Sequence, residues 1–126
     1  MIKDRFKVYI TDAADGSFEF RTVSGEIFRM KVDTSIFYCG IYKDERFNRW
    51  IVVDLFSGMA YHFPHLKMNK AETIEDAAKT IYMMGSVNTL KASARFVIEH
   101  SNEYNLNKKQ IEHLYKCKVM EVDYDH

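Results

Sequence analysis

The sequence predicts an α+β protein: an antiparallel β-meander of five to six strands over residues about 5–63, followed by three α-helices over about 74–84, 89–103 and 108–119 packed on the sheet. Three observations carry this. Apolar residues alternate with a period of two in the first half, and helical spacing replaces that alternation after Pro64, the only proline. Strands and helices are segregated rather than interleaved, which excludes a βαβ architecture.

In chain order, Phe6, Val8 and Ile10 alternate with Lys7 and Tyr9, as in a half-buried strand. A turn over 12–17 leads to a second strand, where Phe18, Phe20 and Thr22 oppose Glu19, Arg21 and Val23. Ser24-Gly25-Glu26 has the composition of a tight reversal, and a third strand then runs over 27–32. Asp33-Thr34 ends it. The fourth strand, 35–42, is apolar on both faces and contains Gly40, a residue that signals a bulge or the close approach of another element.

The most apolar stretch is 49–63. It reads as a hairpin with arms at 49–55 and 59–63 around Ser57-Gly58. Arms apolar at nearly every position need cover on both faces, so this hairpin is expected in the middle of the sheet, with the helices over one face. Pro64 stops it, because proline cannot donate to a ladder.

Thr73 followed by Glu75 and Asp76 has the form of a helix start, Ile74, Ala77, Ala78, Ile81 and Tyr82 make one stripe, and Gly85 ends the helix. Asn88 or Thr89 caps a second helix carrying Leu90, Ala94, Val97 and Ile98, and Asn107 caps a third carrying Ile111 and Leu114. One domain over 1–126 is expected, with 121–126 a polar, flexible tail.

Eighteen basic and eighteen acidic residues cancel. The balance repeats in each half, so the chain lacks the global field that accompanies nucleic-acid binding. A net charge of zero favours self-association, and a homodimer is the expectation. Cys39 and Cys117 are read as free thiols of a reducing compartment. No signal segment or apolar run of membrane-spanning length is seen, and a soluble cytoplasmic protein is expected.

Catalytic chemistry finds little support. Asp54, Ser57 and His62 contain the residue types of a nucleophile, base and orienter, but Asp and Ser are also what a turn uses for local hydrogen bonding. His62, His65, His100, His113 and Cys117 include spacings able to chelate zinc, without a CxxC or HExxH frame. No catalytic residue, metal site or cofactor is assigned. Lys108, Lys109, Gln110 and His113 open the last helix as base-reading residues open a recognition helix, which makes a nucleic-acid-binding regulator the alternative. A small metal-dependent enzyme is the second alternative.

Aromatic residues exceed what one sheet face can bury, and Arg46, Phe47, Arg49 and Trp50 concentrate the types that dominate interface energetics. The expected function is therefore a non-catalytic protein-binding module that docks through these four residues. Short, poor in Gly and Pro and rich in Lys, Ile, Asn and Tyr, the chain is similar in style to phage and mobile-element accessory proteins. Those include inhibitors of host defence such as anti-CRISPR proteins; no motif carries the likeness.

Overall fold

The computed structural model describes residues 1–11, 14–62, 68–99, 106–122 and 124. The elements are β1 (Ile2–Thr11), β2 (Phe18–Val32), β3 (Ser35–Asp44), β4 (Arg49–Asp54), α1 (Lys70–Met84), α2 (Ser86–Glu99), α3 (Lys108–Leu114) and β5 (Val119–Glu121). The α+β class holds: a meander in the order β1-β2-β3-β4 precedes the helices, and β5 returns to pair with β2.

The expected reversal at Ser24-Gly25 is absent, and β2 runs through it as one strand of 15 residues. Gly25 pairs with Asp4 in the β1 ladder, and a Cβ added there would lie 2.1 Å from the Ile41 carbonyl oxygen. The glycine thus serves the close approach of β3, not a turn. One edge of β2 pairs antiparallel with β1 over 18–27 and then parallel with β5 over 29–31, while the other edge holds β3 over 26–32. A two-residue turn joins β2 to β3, with Asp33 at φ 57, a left-handed conformation that Asp tolerates.

The second arm of the expected hairpin is also corrected. Among the described residues of that arm, 59–62, only Ala60 makes a bridge, to Val53, and Phe63 lies outside the described residues. Gly58, at φ 74, turns the chain, after which single groups close the outer edge of β4. Asp54 N–H donates to the Met59 carbonyl, Tyr61 N–H to the Val52 carbonyl, and Val52 N–H to His62 Nε2. The stretch expected at the centre of the sheet therefore lies at its end. Its apolar density reflects cover on both faces and along one edge.

Alternate residues of the strands feed two cores. Phe28, Met30, Phe37, Cys39 and Val52 pack with Ile74, Ala77, Ala78 and Ile81 of α1. Their neighbours on the opposite face, Ile27, Tyr42, Ile51 and Val53, pack with Phe6 and Val8 and with Ile111 and Leu114 of α3. Helices thus cover both faces rather than one, which is why β3 and β4 are apolar at consecutive positions. The Phe6 ring lies directly over Gly40, where an added Cβ would meet it at 2.6 Å. The sheet curls until its terminal strands meet, and Tyr9 N–H of β1 donates to the Gly58 carbonyl after β4 at 2.8 Å.

Helix boundaries shift for identifiable reasons. Asn69 caps α1 by accepting from Glu72 N–H, four residues ahead of the expected Thr73, whose buried hydroxyl donates to the Asn69 carbonyl. Gly85 ends α1 as expected, and α2 begins at Ser86 rather than 89. The expected end of that helix, at 100–103, lies outside the described residues. Only seven residues form α3, since 119–121 become β5. Val122 and Tyr124 pack against the α1 core, so the expected polar tail is docked at these positions. Among the described residues no helix is long and apolar enough to cross a membrane.

Candidate functional site

Two polar constellations and one helix bear on function. The first surrounds Asp54, buried where β4 ends. Its carboxylate accepts from Phe56 N–H and Ser57 N–H, from the Ser57 hydroxyl at 2.8 Å, from the Tyr61 hydroxyl at 3.1 Å and from the Ser93 hydroxyl of α2. Burial pushes the Tyr61 phenol and the Cys39 thiol well above their ordinary values, and the nearby Asp54 carboxylate adds to both shifts. Ser57 therefore gives its proton to a carboxylate with which it builds a turn. His62 points elsewhere: Nε2 accepts from Val52 N–H, so Nδ1 is the nitrogen that carries a proton toward Asp76, at 2.9 Å. Asp54, Ser57 and His62 do not form a nucleophile–base chain.

The second constellation is the tip of the β3–β4 hairpin. Asp44, almost fully buried, closes it by pairing with Arg49 at 3.6 Å and with Arg46 at 3.2 Å, while also accepting Arg46 N–H. Asn48 adopts φ 49 to complete the turn. Phe47 projects from it with 51% of its surface exposed. The Arg46 and Arg49 guanidiniums lie over its ring, 5.5 and 4.7 Å from the centroid. Arg21 of β2 joins them from across a groove of about 730 Å³, which is also lined by Ile10, Phe18 and Glu19. The groove continues along the seam between β1 and β4, past Tyr42 and Ile51. Burial raises the Tyr42 phenol, Asp44 raises it further, and Arg46, Arg49 and Arg21 oppose the shift.

Of the four residues singled out for docking, Arg46, Phe47 and Arg49 converge. Trp50 does not, because neighbouring residues of a strand face opposite ways. It packs at the α1 core, with the Lys43 and Lys70 ammonium groups 6.0 and 5.8 Å from its ring. Arg21 and Asp44 escaped notice. Arg21 comes beside the tip only because the sheet curls, whereas Asp44 is local to it, the last residue of β3 and the ladder partner of Arg49.

In α3, Lys108 and Lys109 are exposed, with Lys108 3.9 Å from Glu112. Gln110 donates to the Arg5 carbonyl of β1 at 2.9 Å, so it is engaged within the fold. Asn107 stands at the N-cap position of α3 as expected, but it is buried and its side chain makes no capping hydrogen bond. It binds the Lys7 backbone instead. His113 is exposed, and the Cys117 thiol donates to its carbonyl at 3.6 Å. Cys39 and Cys117 are both free thiols. Among the described residues no group of three or more His, Cys, Asp or Glu is placed to hold a metal ion; His65 and His100 lie outside them.

Comparison with protein-family models, with curated proteins and with solved structures finds no match to this chain.

Proposed function

We propose that this chain is a non-catalytic protein-binding module that docks through the β3–β4 tip and the groove beside it. The observation that carries the reading is the exposed Phe47 ring held by two guanidiniums, both of them paired with buried Asp44. Exposing an aromatic ring to water is unfavourable, and fixing it beforehand lowers the entropy lost on association. An arginine-flanked aromatic is the composition of an interface hot spot.

Two further features support this reading over its alternatives. The hydroxyls around Asp54 are directed to a carboxylate and leave no activated nucleophile, which favours binding over catalysis. The engagement of Gln110 by β1 removes one of the side chains a recognition helix would use. A module without chemistry acts by occupying its partner's surface, the mode an inhibitor of host defence would use. Self-association into a homodimer belongs to the same proposal and is read from the mass in solution.

The test is photo-crosslinking in extract of the source cell, with a photoreactive phenylalanine analogue placed at Phe47 in one preparation and at Lys109 in another. A single protein captured from Phe47 and not from Lys109 is the expected result. Capture from Lys109 alone, or of nucleic acid, overturns it.

A further inference from the structure

The chain carries no net charge, so a local excess of one sign has to be built by the fold. In the shallow cavity beside Trp50 no excess arises, because Lys3, Arg5 and Lys43 are matched by Asp4, Glu26 and Glu45. The groove beside the β3–β4 tip differs. Arg21, Arg46 and Arg49 line it together with one acid, Glu19. Asp44, which pairs with two of these arginines, lies beneath the tip at 6% exposure, whereas the Arg21 and Arg46 side chains stand 50% and 54% exposed.

A guanidinium holds several N–H donors in a planar fork and stays charged at any physiological pH. Glu19 Oε1 meets the Nε and one terminal nitrogen of Arg21, at 2.6 and 2.5 Å. Asp44 accepts from Arg46 Nε at 3.2 Å and stands 3.6 Å from Arg49 Nε. Three guanidiniums thus share two carboxylates. The groove keeps a positive excess beside the apolar surfaces of Ile10, Phe18 and Phe47, and Phe18 is itself 46% exposed.

We propose that the groove selects an acidic segment of the partner protein, in which apolar side chains are flanked by Asp or Glu. The inference rests on the docking reading above and adds the partner's charge to it. The apolar side chains cover Phe18 and Phe47, and the carboxylates meet Arg21 on one wall and Arg46 and Arg49 on the other, in the fork geometry that guanidinium offers to carboxylate. Nucleic acid fits less well, because a strand repeats its phosphates at short intervals and needs a continuous basic track, which Glu19 interrupts. A second copy meeting through the same patch sets the arginines against one another.

The test uses two short synthetic peptides that share a central Leu-Phe pair and differ only in flanking Glu or Lys, and an oligothymidine with as many negative charges as the Glu peptide. Each is titrated to about 1 mM against labelled full-length protein and followed by amide chemical shifts. The Glu peptide is expected to move the amides of Arg21 and of residues 44–49, the Lys peptide to move none, and the oligothymidine to bind more weakly than the Glu peptide. Arg21→Glu should weaken the Glu peptide by about tenfold or more, and Arg21→Gln, which keeps the reach of the side chain, by about threefold, while Lys109→Glu on α3 changes nothing. Raising the salt from about 0.01 to about 0.15 M should weaken it as well. Equal binding of the two peptides, no shift with either, tighter binding of the oligothymidine, or a Glu peptide indifferent to both Arg21 variants would overturn the proposal. The docking reading is judged apart: a protein captured at Phe47 that binds the wild-type chain and Arg21→Gln equally leaves that reading standing and removes the acidic assignment.

Discussion

The side-chain amide of Asn107 holds both backbone groups of Lys7, its oxygen accepting the N–H at 2.8 Å and its nitrogen donating to the carbonyl at 3.0 Å. The same nitrogen reaches the Leu55 carbonyl at 2.9 Å. One buried side chain thus stands in for a neighbouring strand along the outer edge of β1. Gln110 on the Arg5 carbonyl and the Gly58 carbonyl on Tyr9 N–H continue the cover. An edge closed this way resists pairing with another chain, which leaves side-chain surfaces for recognition.

Asn107→Ala leaves three backbone groups short of partners. It should cost about 2–4 kcal/mol, read as a lower urea midpoint at unchanged slope. Asn107→Asp should be no milder, since it sets a carboxylate against the Lys7 and Leu55 carbonyls. A loss below about 1 kcal/mol for both variants would show that water closes this edge equally well.

Gly40 and Phe6 should be strongly coupled. Gly40→Ala places a methyl group where the Phe6 ring lies, in a core with no room to yield, and should cost about 1–3 kcal/mol. In a Phe6→Leu background that penalty should largely vanish. Additive losses in the double-mutant cycle would contradict the contact.

Asp54 joins the turn after β4 to α2. Ser93→Ala should cost about 1 kcal/mol globally and speed amide exchange along α2, with α1 unaffected. Asp54→Ala, which strands several donors together, should cost about 3 kcal/mol. Exchange in α2 that is indifferent to Ser93 would mean that other contacts hold the helix.

Alkaline conditions should unfold the protein before two of its tyrosines ionise. Tyr42 and Tyr61 are raised above the ordinary 10.0, and Cys39 above 9.0, each chiefly by burial. A raised folded value means that the unfolded state releases its proton first. Stability is therefore full below the ordinary values and falls as pH climbs above about 9 to 10. Phenolate absorbance should show these two tyrosines titrating only with unfolding, tracked in parallel by circular dichroism. Ionisation of all eight tyrosines in the folded protein would contradict their burial.

The parts of this fold legible in the sequence are those governed by local pattern. Alternation at Phe6, Val8 and Ile10 marked a strand, and Gly85 marked a helix end. The close approach signalled by Gly40 is real. Long-range geometry decided the rest. Gly25 has the local chemistry of a turn, yet its lack of a side chain serves Ile41, sixteen positions away. Residues 59–62 have strand composition but close the edge of β4 with single groups, including a histidine ring. Asn107 looked like a helix cap because Asn commonly caps helices, and only the docking of α3 on β1 shows its use. At the candidate site the loop residues Arg46, Phe47 and Arg49 were readable together, being neighbours in sequence. Arg21 was not, because curling of the sheet brings β2 there, and nothing in the local sequence marks the Asp44 carboxylate as buried beneath both arginines.

The central claim is that Phe47 anchors a protein partner. Once the crosslinked partner is purified, titration calorimetry against the wild-type chain and Phe47→Ala measures it most directly, with melting curves confirming that both are folded. Phe47 is exposed, so its removal should leave the melting temperature nearly unchanged while weakening binding by about tenfold or more, some 1.4 kcal/mol. An unchanged dissociation constant in a folded Phe47→Ala protein would contradict it.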